Sequence, residues 1–209
     1  MAGRITALRL QKHSERRVNV YLDGEFAFGL ADIAAYPLRV GEWLADEKIA
    51  ALQAADVLEQ ARDRALSYLS YRPRSLRELQ CYLREREFSE PVVSQVLGHL
   101  QAVGLVDDLA FARYWIQNRG QFRPRGALAL RQELCQKGIA ESLIDTALED
   151  YDELTVLRRA ARKHARRLRQ LPPEKFRQRL TQRLARRGFS YESIRDIVTD
   201  CIMQSEDDL

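Results

Sequence analysis

A chain of 209 residues suits one large domain or two small ones, and its 45% hydrophobic content is ordinary for a soluble fold. Charged residues make up 31%, enough to suggest long solvated helices, and the formal net charge is +4. The longest apolar runs are only a few residues, which excludes a membrane-spanning helix. Met1–Thr6 carries no apolar signal core, so the cytoplasm is the expected location. Cys81, Cys135 and Cys201 are too few and too scattered for a disulfide framework. Two of them lie in predicted helices beside leucines, where a small buried thiol is expected.

The first thirty residues read as strand. Ile5 to Lys12 alternates loosely, and His13 to Arg16 is predicted to form a turn. Val18–Leu22 and Phe26–Leu30 flank Asp23-Gly24, a strong two-residue hairpin signal. The result is a small antiparallel β-meander, too small to stand alone and expected to pack on the helix that follows. Tyr36-Pro37 and Gly41 break the chain before that helix, which runs from a cap at Asp46 towards Tyr71. Trp43 and Trp115 read as core residues.

From about Val57 onward the pattern is helical and repeats. Leu79–Leu83 aligns with Leu130–Leu134 and with Leu180–Leu184, at offsets of 51 and then 50 residues. Phe88 falls over Ile139 and Phe189, Val93 over Ile144 and Ile194, and Leu97 over Leu148 and Val198. A fixed period of this size predicts stacked helical units that bury their apolar faces against neighbours. The fold is therefore mainly α: three tandem three-helix repeats in an elongated array, after the N-terminal meander. The expected boundaries are 1–56 for the meander and connecting helix, then 57–106, 107–152, and 153–209 with a short acidic tail.

Capping chemistry supports this division. Ser75-Leu76-Arg77-Glu78 is a capping box for the middle helix of the first repeat. Gly138 and Gly188 end the matching helices of the later repeats, where a left-handed residue costs little. Glu87 holds that place in the first repeat, so its helix is expected to end differently. Ser89 and Ser190 are predicted caps of the third helices, and Asp107-Asp108 of the first helix of repeat two.

The third repeat concentrates charge. Between Arg158 and Arg187 lie thirteen Lys and Arg residues and a single acid, Glu174, which leaves 21 basic and 29 acidic residues elsewhere. Leu154, Leu157, Ala161, Ala165 and Leu168 form an apolar stripe at helical spacing, and Phe176, Leu180 and Leu184 form the next. Around them stand Arg158, Arg159, Arg162, Lys163, Arg166, Arg167 and Arg169, then Lys175, Arg177, Arg179, Arg183, Arg186 and Arg187. Ordinary solvated helices interleave both signs, so this bias points to a surface for a polyanionic or acidic partner.

A second recurrence is Tyr71-Arg72-Pro73-Arg74, which returns as Phe122-Arg123-Pro124-Arg125 after 51 residues. Proline explains itself by stopping the preceding helix. Arg72, Arg74, Arg123 and Arg125 either gather a phosphate or partner carboxylate at a helix N-terminus, or pair with local acids such as Glu78 or Asp107. The third repeat has Leu171-Pro172-Pro173-Glu174 there and lacks the motif.

Nothing resembles a catalytic constellation. His13, His99 and His164 lie in different units with no ligand spacing, the glycines are dispersed, and no nucleophile motif occurs. No catalytic, cofactor-binding or metal-binding residues are predicted.

The ordered set Arg74–Leu79, Gly104–Ala112, Arg125-Gly126 and Glu133–Ile139 resembles the RecX family, bacterial regulators of the RecA recombinase. The resemblance covers about residues 57–203, and the N-terminal strands resemble an extension found in longer members. It implies a non-enzymatic helical array that binds in the groove of the RecA–single-stranded DNA filament. It further implies restraint of strand exchange, ATP hydrolysis and repressor cleavage. The expected partners are that filament and single-stranded DNA, with double-stranded DNA left open. The protein is expected to be a monomer without cofactors. The rival reading is a direct DNA-binding protein built from tandem helix-turn-helix-like units.

Overall fold

Alternation in the first thirty residues produces strands, and their pairing closes a four-stranded antiparallel sheet. The computed structural model describes residues 2–11 and 14–206, without the side chains of 14–16 and 202–206. Strands β1 (Gly3–Gln11), β2 (Ser14–Leu22), β3 (Glu25–Ala31) and β4 (Trp43–Leu44) lie in the order β3-β2-β1-β4. Asp23 and Gly24 have φ of +50° and +93°, the doubly left-handed turn that matches the twist of a hairpin. Lys12 and His13 fall outside the described residues, and Ser14–Arg16, expected in the turn, already belong to β2. The two-residue strand β4 and the short helix α1 (Asp32–Ala35) are additions that no periodicity announces. β4 also corrects Trp43, which is 61% exposed on the sheet edge while its neighbour Leu44 takes the inward place. Adjacent strand residues face opposite sides, so only one of the pair can be buried.

Helix α2 (Asp46–Leu69) follows, with Ala45 rather than Asp46 at the N-cap. It runs unbroken through residues 56 and 57, so one helix serves both as the connector and as the first helix of repeat one. Ile49 closes the sheet core with Ile5, Val20, Phe28, Leu30 and Leu44. Asp56, only 4% exposed, fixes the sheet to α2. Its carboxylate accepts from Arg17 Nη2 at 2.8 Å, the Ala31 amide at 2.8 Å and Gln60 Nε2 at 2.6 Å. A buried carboxylate persists only with such a full set of partners.

The repeats follow as α3 (Leu76–Arg84) and α4 (Glu90–Ala102), then α5 (Asp108–Phe122), α6 (Ala127–Gln136) and α7 (Glu141–Leu148), then α8 (Glu153–Leu168), α9 (Pro173–Ala185) and α10 (Tyr191–Glu206). The chain divides into two compact units, Met1–Arg72 with Leu79–Val103 and Pro73–Glu78 with Gly104–Leu209. The aligned positions of the repeats are buried, Leu79, Leu83, Leu130, Leu134, Leu180 and Leu184 completely so, except that Phe88 and Leu148 are half-exposed. Leu154 is exposed, so the α8 stripe begins at Leu157. Cys81 and Cys135 are exposed as well, contrary to the buried reading. Each sits off the stripe that its leucine neighbours occupy, since consecutive helical residues diverge by about 100°.

Helix ends confirm some caps and correct others. Ser75 and Glu78 form the capping box, with the Glu78 amide 3.2 Å from Ser75 Oγ and the Ser75 amide 3.4 Å from Glu78 Oε2. Ser190 receives the Ser193 amide, whereas Ser89 occupies its N-cap without a side-chain bond. Glu87 does not end its helix differently: its φ is +64°, beside +81° at Gly138 and +80° at Gly188. The amide of Phe88 reaches Leu83 O as that of Ile139 reaches Leu134 O, the same left-handed close. Glu87→Gly is therefore expected to stabilise the protein by about 0.5–1 kcal/mol in urea denaturation, by removing the Cβ strain.

The glycines mark packing between repeats. A Cβ on Gly138 would meet the Arg77 side chain at 2.5 Å, and one on Gly188 would meet the Ala129 amide nitrogen at 2.5 Å. The turn after each later middle helix thus docks against the start of the preceding middle helix. Ser75 Oγ donates to Lys137 O at 2.8 Å, and at the next joint the Gly126 amide donates directly to Arg187 O at 2.8 Å. An acid completes each joint. Asp108 Oδ1 accepts the Leu76 amide at 2.9 Å and Glu153 Oε1 accepts the Ala127 amide at 3.1 Å. Asp107 alone caps its own helix, taking the amides of Leu109 and Ala110. Asp108 instead caps the helix of the preceding repeat, and burial there raises its pKa.

Candidate nucleic-acid interface

Amphipathic spacing decides where the basic residues point. Leu157, Ala160, Ala161 and Leu168 turn α8 inward, and this leaves Arg158, Arg159, Arg162, Lys163, Arg166 and Arg167 lining one open depression with Thr155. On α9, buried Phe176, Leu180 and Leu184 leave Lys175, Arg177, Arg179 and Arg183 exposed, with Arg169 before that helix and Arg186 after it. Among the described residues, none of the thirteen cations from Arg158 to Arg187 forms an ion pair. Repeat two is different: Arg131 reaches Asp145 at 2.5 Å, and Arg119 reaches Glu133 at 2.7 Å. Unneutralised cations at this density raise the local potential and attract polyanions.

Two of the thirteen have local work. Arg159 donates to Gly120 O, and half-buried Arg187 donates to Pro124 O at 3.0 Å. Burial, and then the Arg125 guanidinium, hold the Arg187 pKa below its ordinary value. His164 sits in the same field. Its imidazole is held below the usual pKa by burial first, then by Arg187, Arg183, Arg167 and Lys163.

The paired arginine loops separate by role. Arg125 lies 3.3 Å from Glu133 and is half-buried, so it takes a local acid, though neither of the two expected. Glu78 is held by Lys137 at 2.6 Å. Arg123 is exposed at the C-cap of α5, while Arg72 and Arg74 are half-buried. Tyr71 and Phe122, the residues that open these loops, are 80% and 68% exposed. An exposed ring next to an arginine is the pairing that stacks a base and holds its phosphate.

Sequence reasoning missed a network in repeat two. Glu133 Oε2 accepts Trp115 Nε1 at 2.8 Å and Arg119 Nε at 2.7 Å, and the Arg119 guanidinium lies 4.3 Å from the Trp115 ring centroid. Trp115 is thus a half-buried donor rather than a simple core residue. The signal was present in the alignment, where Glu133 replaces Tyr82 of repeat one. Glu133→Gln is expected to cost about 1–2 kcal/mol, because two arginines lose their counter-charge. Arg123→Gln should stay within about 0.5 kcal/mol of the parent. Urea denaturation of both variants checks this split.

Family models cover most of the chain. The RecX N-terminal domain matches residues 3–44, and the first, second and third three-helix domains of RecX match 61–100, 107–148 and 150–198. The chain is 34% identical over 216 residues to the regulatory protein RecX of Limosilactobacillus reuteri strain DSM 20016, covering 99% of this chain and 81% of that one. It is 32% identical over 195 residues to that of Bacillus pumilus strain SAFR-032, covering 91% and 74%. Among solved structures, a crystal structure of regulatory protein RecX superposes with a TM-score of 0.73 at 33% identity, over 95% of this chain and 99% of the other. RecX from Lactobacillus salivarius superposes with a TM-score of 0.64 at 25% identity, over 71% and 99%.

Proposed function

The chain belongs to the RecX family of regulatory proteins, and from that premise we propose that it binds the RecA filament on single-stranded DNA and restrains it. The restraint falls on strand exchange, ATP hydrolysis and the filament's coprotease activity, and the protein performs no chemistry of its own. It acts as a cytoplasmic monomer, without cofactor or metal. The meander and connecting helix (1–56) and the three repeats (57–106, 107–152 and 153–209) are its working divisions.

The observation that carries this reading is the run of cations from Arg158 to Arg187, none with an ion pair among the described residues. Coulombic attraction would place the phosphate backbone there, through Arg158, Arg162, Lys163, Arg166, Arg167, Arg183 and Arg186. Arg159 and Arg187 hold carbonyls and contribute field more than contact. The loop at Arg72 and Arg74 and the loop at Arg123 and Arg125 each offer a further contact, taken separately. Their exposed Tyr71 and Phe122 rings suit unstacked bases, which favours single strands over duplex.

The test compares affinity for a labelled single-stranded oligonucleotide, bare and coated with recombinase, by fluorescence anisotropy. The expected result is tighter binding to the coated strand. Equal affinity for both, or preference for bare duplex, would support the direct DNA-binding reading instead.

A further inference from the structure

In the first two repeats an ion pair ties the second helix to the third. In repeat one, Arg84 at the end of α3 holds Glu90 at the start of α4 at 2.5 and 2.7 Å. In repeat two, Arg131 of α6 holds Asp145 of α7 at 2.5 Å and lies 3.8 Å from Glu141. Repeat three has the residues for neither pair. The column of Glu90 and Glu141 holds Tyr191, and the column of Asp145 holds Arg195. The cations are gone as well, since Ala185 stands for Arg84 and Thr181 for Arg131. What remains is an open groove of about 520 Å³ between α9 and α10, within the roughly 300–1,000 Å³ of ordinary ligand sites. Tyr191, 73% exposed, lines it together with Gln178, Thr181 and Gln182 of α9. Both glutamine side chains are exposed as well.

This groove is nearly neutral, unlike the depression along α8. Arg177 is offset by Glu174 in the same wall, and Arg195 lies 3.4 Å from Asp196. It is therefore no track for phosphates. Its walls offer a planar ring and two amides, each amide with donors and an acceptor side by side. That set matches a nucleobase, which has a π-face to stack and an edge of donors and acceptors. The run of cations from Arg158 to Arg187 in the same repeat supplies the phosphate contacts that the groove lacks. We propose that the groove between α9 and α10 takes one unstacked nucleobase of a single strand, its ring on Tyr191 and its edge on Gln178 and Gln182. The assignment rests on the single-strand reading above and adds a place where a base, rather than the backbone, is held. A base in duplex is already stacked and paired, so the groove takes single strands alone.

The test measures the anisotropy of two labelled strands of equal length, oligothymidylate and an abasic sugar–phosphate chain, with the full protein. A third arm uses oligothymidylate coated with recombinase. Tyr191→Ala is expected to lose roughly fivefold to a hundredfold in affinity for oligothymidylate, the scale of one base–aromatic stack. It should bind the abasic strand as the parent does and keep the parent's salt slope, since no phosphate contact is removed. Tyr191→Phe keeps the ring and should bind like the parent. Thr181→Arg with Arg195→Asp rebuilds the ion pair of repeat two across the groove. That variant should lose the preference for thymidylate over the abasic strand, with helicity unchanged. For Tyr191→Ala, an equal loss on both bare strands, or no loss on either, would overturn the site and leave single-strand binding intact. A loss confined to the coated strand would overturn the base and assign the groove to a protein contact. A parent that binds neither bare strand would overturn the single-strand reading itself, and the site with it.

Discussion

Gly126→Ala is expected to destabilise the protein by about 3 kcal/mol or more, a large share of the stability of an ordinary domain. The backbone conformation is not the cause, since Gly126 has φ of −77°, which any residue adopts. Contact is the cause. A Cβ would stand 2.1 Å from Gly188 O, 2.3 Å from Gly188 C and 2.4 Å from the Phe189 amide nitrogen. These are backbone atoms and cannot rotate away, so the turn after α9 would have to move off the start of α6. That movement also breaks the bond from the Gly126 amide to Arg187 O, worth about 1 kcal/mol. The preceding joint has Ser75 in this place, where the side chain bridges to Lys137 O. Gly98 is the control: it lies within α4 and a Cβ there meets nothing within 4 Å. Gly98→Ala should stabilise the protein by about 0.5–1 kcal/mol through helix propensity. Urea denaturation of both variants decides the matter, and a Gly126→Ala protein as stable as its parent would contradict the packing of repeat three on repeat two.

The second large effect concerns affinity. Replacing Arg158, Arg162, Arg166, Arg167 and Arg183 together by Gln removes five exposed cations that hold no ion pair among the described residues. Arg187 is left in place because its bond to Pro124 O gives it a structural part. If the five neutralise five phosphates of a single strand, log K for the parent should fall with log salt at a slope of roughly −3.5. That slope means about a hundredfold loss of affinity between 50 and 200 mM salt. The variant should bind far more weakly at low salt and show a much flatter slope, with unchanged helicity by circular dichroism. An unchanged slope would return this surface to the role of a merely solvated face.

Period and punctuation made most of the fold legible. The recurring Leu79, Leu130 and Leu180 columns report burial directly, because a helix that must cover a neighbour repeats its apolar positions. Asp23-Gly24 reports a hairpin because few other pairs accept two positive φ values. Glu87 departs from the expectation because the left-handed turn does not itself require glycine. The turn tolerates Glu87 at a strain of about 1–2 kcal/mol. What demands glycine at 138 and 188 is the closeness of the neighbouring repeat, and no local sequence encodes that distance. Asp108 failed similarly, since it caps a helix 32 residues back. Trp43 and the thiols of Cys81 and Cys135 show that residue type is a weaker guide to burial than position on a stripe.

The site was legible in outline. The charge run from Arg158 is a sequence fact, but its lack of ion pairs is a tertiary one. Arg125 and Arg119 look equally basic in sequence, and only the fold brings Glu133 between them. His164 reads as an isolated histidine in sequence, and only the fold sets it in the field of Arg183 and Arg187.

The central claim is that this chain restrains a recombinase filament through its own fold. Its most direct test is the rate of ATP hydrolysis by RecA on single-stranded DNA while the protein is titrated in. The account predicts a fall in rate at or below stoichiometric protein, a parallel loss of strand exchange, and a much weaker effect for the five-arginine variant. Saturating protein that leaves both ATP hydrolysis and strand exchange unchanged would contradict it.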